Sequence, residues 1–166
     1  MWRRTAVVWV FWAGVADPAV AESQVLLGFV DSDRRFAVQG TVDGAAARLS
    51  RPSCQDVLSD FADESGRTLW TRLLASGRSP ADAFAALRFV DSDAAPQCSA
   101  GTTLAFTQTG SPVIHVCAGP FMKRSMRNRM TAEIIVIHEF LHTLGLGENP
   151  PTSQAITAQV VLRCGG

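Results

Sequence analysis

The chain has 166 residues, 47% hydrophobic and 18% charged, enough to bury a core and too apolar for a disordered tail. Fifteen basic side chains balance fifteen acidic ones, which argues against a nucleic-acid binder, because such proteins carry a basic surplus. The length argues equally against a two-domain enzyme, a repeat array or a multi-span membrane protein.

Trp2-Arg3-Arg4 gives a short basic start, and Thr5 to Ala16 follow without a charge. Asp17 and Pro18 break that stretch before the small residues Ala19-Val20-Ala21. This order predicts a secretory signal peptide over residues 1–21, since the apolar run falls short of the roughly twenty residues a membrane-spanning helix needs. Cleavage there leaves residues 22–166 as a single domain in a secreted or periplasmic location. All four cysteines (Cys54, Cys98, Cys117 and Cys164) survive it, so two disulfides are expected. The preferred pairing is Cys54–Cys98 with Cys117–Cys164.

The apolar run Gln24 to Val30 predicts a strand ending at the turn Asp31-Ser32-Asp33, and Gly40 to Gly44 reads as another turn. Residues 22 to about 52 read equally as a pro-segment or as the first strand of a sheet. A helix is expected from Cys54 to Phe61 with Ser53 as its N-cap, and another from Thr68 to Leu74, closed by Gly77. Ser79-Pro80 starts a short helix over Ala81–Leu87, and a strand follows at Leu87–Val90. The sequence Phe-Val-Asp-Ser-Asp occurs at Phe29–Asp33 and again at Phe89–Asp93. Neither copy has the glycine and distal glutamate of an EF-hand loop, so the pair reads as two similar strand exits.

Thr103–Thr107 and Val113–Cys117 predict a β-hairpin. Lys123 to Arg129 carries the only lysine and three arginines, as a basic loop or short helix; it reads first as a solvated surface, with guidance of an acidic substrate as the alternative. Thr131 opens a strongly apolar helix through Leu144, and a last helix spans Ser153 to Leu162 after the Asn149-Pro150-Pro151 corner.

The apolar helix holds His138-Glu139-Phe140-Leu141-His142-Thr143-Leu144-Gly145, continuing to Glu148. Histidines four apart lie one turn apart on one face and can share a metal. Glu139, beside the first of them, is placed to take a proton from a water activated there. The helix is apolar nearly all round and therefore buried, so these polar groups need a compensating partner, which a metal supplies. None of the chain's three histidines follows His142, and Glu148 is the only acidic residue beyond Glu139. Gly145 can end the helix and turn the chain back, which makes Glu148 the preferred third ligand. A carboxylate of the N-terminal half, or His115, is the alternative. Thr143 and Asn149 are candidates for orienting the ligands. His115 is the one histidine left to face an oxyanion, in a chain without tyrosine, although a surface or structural role suits it better.

With these residues the sequence resembles the zincin metallopeptidases, and among them the metzincin arrangement HExxHxxGxx followed by a third ligand. His138, Glu139, His142 and Gly145 match that pattern, and Glu148 stands at the third-ligand place. The chain departs from the family in using glutamate there and in having no methionine after Met130 for a methionine turn. The stretch from His138 to Cys164 also resembles small exported bacterial proteins. The resemblance implies an α+β zincin-like domain: a short mixed sheet packed on a buried HExxH helix, and a C-terminal helix tied by a disulfide. It implies Zn²⁺ held by His138, His142 and Glu148, with Glu139 as general base in peptide hydrolysis. It places a peptide or protein substrate along Val113–Cys117 as the sheet edge. Nucleic acid and a membrane span are not expected, and the chain is expected to be a monomer. The competing expectation is an exported, disulfide-stapled zinc domain that binds a partner and cleaves nothing. An intact Glu139 speaks against it.

Overall fold

The computed structural model describes residues 25–29 and 31–166. The expected signal peptide lies outside them. Among them no helix is long and apolar enough to cross a membrane. Strand β1 (Leu26–Gly28) leads into helix α1 (Ser32–Leu49), whose N-cap Asp31 accepts a hydrogen bond from the Arg34 amide. Val38, Thr41, Val42, Ala45 and Leu49 form its buried face at helical spacing.

The glycines expected to turn the chain lie inside α1 instead. They serve helix packing, because a missing side chain lets a neighbour approach. The Gly40 carbonyl accepts from the Arg129 guanidinium, and a Cβ on Gly44 would collide with the Glu133 carboxylate. That carboxylate is buried and pairs with Arg48 at 2.7 Å and Arg129 at 3.0 Å.

The single helix expected at Cys54–Phe61 is two short ones, α2 (Pro52–Gln55) and α3 (Val57–Asp60), meeting at Asp56. Pro52 starts the first of them, so Ser53 is not its cap. Helix α4 (Leu69–Ala75) is capped by Thr68, and α5 (Pro80–Ala85) by a reciprocal Ser79–Asp82 capping box. Strand β2 (Arg88–Asp91) follows, then a 3₁₀ turn at Pro96–Cys98 and the hairpin of β3 (Ala105–Thr107) and β4 (Val113–Val116). The basic segment is helical, in α6 (Ala118–Arg127). Asn128 then caps α7 (Arg129–Thr143), and Thr152 caps α8 (Ser153–Cys164).

The fold is α+β, with one mixed sheet in the order β1-β2-β4-β3. β1 and β4 run parallel to β2, and β3 runs antiparallel to β4. The core joins the inward residues Phe89, Ile114 and Val116 to Val136, Ile137, Phe140 and Leu141 of α7 and to Ile156 and Val160 of α8. The two copies of Phe-Val-Asp-Ser-Asp are not alike: β1 ends at Gly28, before the first, whose Ser32 and Asp33 open α1, whereas the second begins inside β2. They meet through Arg34, which pairs with Asp91 at 2.9 Å and Asp93 at 2.7 Å.

The disulfides are Cys54–Cys164 and Cys98–Cys117, which overturns the pairing expected from sequence. The cause is the parallel sheet. Parallel neighbours finish at the same end, so Cys98, after β2, arrives beside Cys117, after β4. That leaves Cys54 of α2 for Cys164, where α8 packs against α2. Two disulfides fit an oxidising compartment. The sheet corrects a further expectation. Val113–Cys117 is no edge, because β4 lies between β2 and β3, and the edge on that side is β3.

Candidate metal centre

Helix α7 is buried from Ala132 to His142 except for half-buried Ile135; Glu133 faces α1, and His138, Glu139 and His142 open into one cavity. His138, Glu139 and His142 are 3%, 7% and 6% exposed. They line a cavity of about 330 Å³ together with Thr107 and Thr109 of the hairpin and Glu148.

The chain leaves α7 through Gly145, at φ +102°. Its amide donates to the His142 carbonyl at 2.9 Å, and the Leu146 amide to the Leu141 carbonyl at 3.2 Å. This pair of bonds is a Schellman closure, and glycine is required where φ turns positive. The reversal brings Glu148 back over the helix. The hairpin turn is fastened to the same place, with the Gly110 amide donating to the His142 carbonyl at 2.8 Å.

His138 Nε2 and His142 Nε2 are 3.0 Å apart. Glu148 Oε1 lies 3.3 Å from the His142 nitrogen and 3.6 Å from the His138 nitrogen. Ligands on a tetrahedral zinc at roughly 2.0–2.1 Å are about 3.3 Å from one another. The three atoms therefore fit three corners of one tetrahedron, and among the described residues they are the group of three suited to a metal ion.

The outer ring nitrogens settle how the imidazoles point. His142 Nδ1 is 2.7 Å from the Leu146 carbonyl, which can only accept, so Nδ1 carries the hydrogen. A neutral His142 then presents a bare Nε2 to the cavity. His138 Nδ1 is 2.9 Å from the Thr157 hydroxyl on α8, which can donate or accept. Without a cation, His138 can donate from Nε2 to His142. With one, its hydrogen must move to Nδ1 and donate to Thr157. The hydroxyl serves both states.

The electrostatics favour a neutral His138. Burial first, then the neighbouring His142, pull the His138 pKa well below the usual imidazole range, against an opposing pull from Glu148. The Glu139 carboxyl is pushed up to about 8, chiefly by burial and secondly by the charge of Glu148, while the Thr107 amide, donating to it, works the other way. Glu139 is thus held at the strand β3 side of the cavity with a raised proton affinity.

The structure brings His138, Glu139, His142 and Glu148 together. It does not bring His115, which stacks on Phe106 at 4.8 Å with Nδ1 2.9 Å from the Ser92 hydroxyl. Thr143 spends its hydroxyl on the Phe140 carbonyl, and among the described residues no hydrogen bond joins the Asn149 side chain to either imidazole. The groups that touch the ligand rings are Thr157 and the Leu146 carbonyl, and neither is singled out by the sequence. A hydroxyl nineteen residues from His138 carries no local signal. Comparison with protein-family models, curated proteins and solved structures returns no match.

Proposed function

We propose that the chain is an exported zinc metallopeptidase of zincin-like design, with residues 22–166 as its single domain. The observation that carries this reading is the triangle of His138, His142 and Glu148 ligand atoms at tetrahedral spacing, with the Glu139 carboxylate in the same cavity. Two nitrogens and a carboxylate oxygen with an open position suit zinc in a hydrolase. Bound zinc supplies Lewis acidity, which polarises a peptide carbonyl and makes water acidic near neutral pH.

The residues divide the remaining work. The Leu146 carbonyl and the Thr157 hydroxyl orient the two imidazoles. Glu139, in the same cavity, takes the proton of the attacking water and passes it to the leaving amine. The Thr107 amide steadies that carboxylate. The outer edge of β3 offers the backbone groups that Glu139 does not take to an extended substrate, which would add to the sheet as a further strand.

Glu139→Gln tests the reading. It removes the base and keeps the ligands, so the zinc-loaded variant retains about one metal per chain and loses at least about a hundredfold in peptide cleavage. Zinc binding in the wild type without cleavage of any library peptide would favour the partner-binding module.

A further inference from the structure

The basic helix α6 holds charge that the fold does not use. Arg34, Arg48, Arg67, Arg72, Arg129 and Arg163 each pair with a carboxylate. Lys123, Arg124 and Arg127 form no such pair among the described residues. All three are exposed, and all three line a single cleft of about 290 Å³ whose other wall includes Thr102 and Leu104. No carboxylate lines it.

This cleft adjoins the metal cavity along the chain. Leu104 borders the basic cleft, and the next residue, Ala105, borders the cavity that holds Glu139. Strand β3, the edge of the sheet, starts at that junction and runs along the metal cavity. The Cys117 amide donates to the Leu104 carbonyl, so Leu104 and Phe106 turn their backbone groups to β4, and Ala105 and Thr107 turn theirs to the outer edge. Leu104, on the basic cleft, stands three residues before Thr107, on the metal cavity, and at about 3.3 Å per residue an extended peptide laid along this edge covers that offset in about two to four residues.

We infer that the cleft of Lys123, Arg124 and Arg127 is a substrate subsite for an acidic side chain, two to four residues from the bond that is cleaved. The inference rests on the peptidase reading and names the substrate class: extended peptides bearing Asp or Glu at one fixed place. A peptide fits better than a nucleic acid. The chain as a whole is charge-balanced, and Lys123, Arg124 and Arg127 converge on one small cleft that Leu104, next to β3, also lines.

The test measures binding and cleavage separately. Labelled peptides carrying Glu at successive positions, and their Gln counterparts, are titrated onto the zinc-loaded Glu139→Gln chain by fluorescence anisotropy. One Glu position binds about fivefold or more tighter than Gln. Adding Arg124→Glu removes that advantage. Adding Arg88→Glu, an equal change of net charge at an exposed site on β2, leaves it in place. Far-UV circular dichroism verifies that each variant is folded. Equal binding of Glu and Gln peptides at every position would overturn the inference, as would equal losses in the two charge reversals. Cleavage of the same peptides by the wild type addresses the other reading. Cleavage without an acidic preference would sink the subsite alone, whereas a binding preference without any cleavage would sink the peptidase.

Discussion

Replacing Thr157 by valine isolates the orienting hydroxyl with little change of shape. In the metal-loaded protein His138 must donate from Nδ1, and the hydroxyl 2.9 Å away is its acceptor. Coordination polarises the ring, so this bond belongs with the charge-assisted kind, about 1.5–3 kcal/mol, and its loss falls on a residue only 3% exposed. In the metal-free protein the same contact is an ordinary neutral bond of about 0.5–1.5 kcal/mol. The difference, about 1–2 kcal/mol, predicts zinc binding weakened about five- to thirtyfold. The assay is a zinc titration in competition with a chromophoric chelator, paired with thermal unfolding of the metal-free protein. An affinity within twofold of wild type would refute the argument that Thr157 orients the ligand. A metal-free variant that has lost as much stability as the loaded one would refute it too, because the hydroxyl would then act only through the fold.

Asp63 accepts from the Ser65 hydroxyl first of all, then from the Arg67 amide and the Arg72 guanidinium, which hold its carboxyl well below the usual range. A depressed pKa contributes stability above the ordinary carboxylate value that is lost as pH falls through the folded value. Asp63→Asn is therefore less stable at neutral pH, and its acid unfolding curve is shallower below about pH 4. Gly145→Ala forces a side chain into φ +102° and against the Arg72 guanidinium, and it lowers the unfolding free energy by about 1–3 kcal/mol in a denaturant titration. The disulfides span separations of 110 and 19 residues. Removing Cys54–Cys164 costs about 5 kcal/mol and removing Cys98–Cys117 about 3 kcal/mol in the chain-entropy account, and peptide mapping of the oxidised protein recovers these pairs.

What could be read without coordinates was local. The HExxH helix, its glycine exit and Glu148 lie within eleven consecutive residues, where helical period and one turn fix the geometry. The hairpin and the capped helices α4 and α5 were readable for the same reason. Errors arose where distant segments meet. Gly40 and Gly44 looked like turn residues because the helix that packs on them lies some ninety residues further on. The disulfide pairing depended on β2 and β4 being parallel, and adjacent spacing along the chain says nothing of that. The edge strand was misassigned by one place, since whether β4 or β3 lies outermost is a property of the sheet order. Thr157 was missed because a threonine on a helix face is unremarkable until a histidine is found opposite it.

The meeting of Gly44 with Glu133 ties the history of two positions together. Any β-carbon at 44 would occupy the space of the Glu133 carboxylate, and that carboxylate neutralises Arg48 and Arg129 at the seam of α1 and α7. Neither position can change freely while the other stays. Alanine at 44 displaces the end of the Glu133 side chain, and that movement strains its pairs with both arginines unless residue 133 is shorter. Divergent chains of this fold should therefore show the two sites changing as a pair, with an intermediate holding both side chains selected against even though neither lies in the metal cavity.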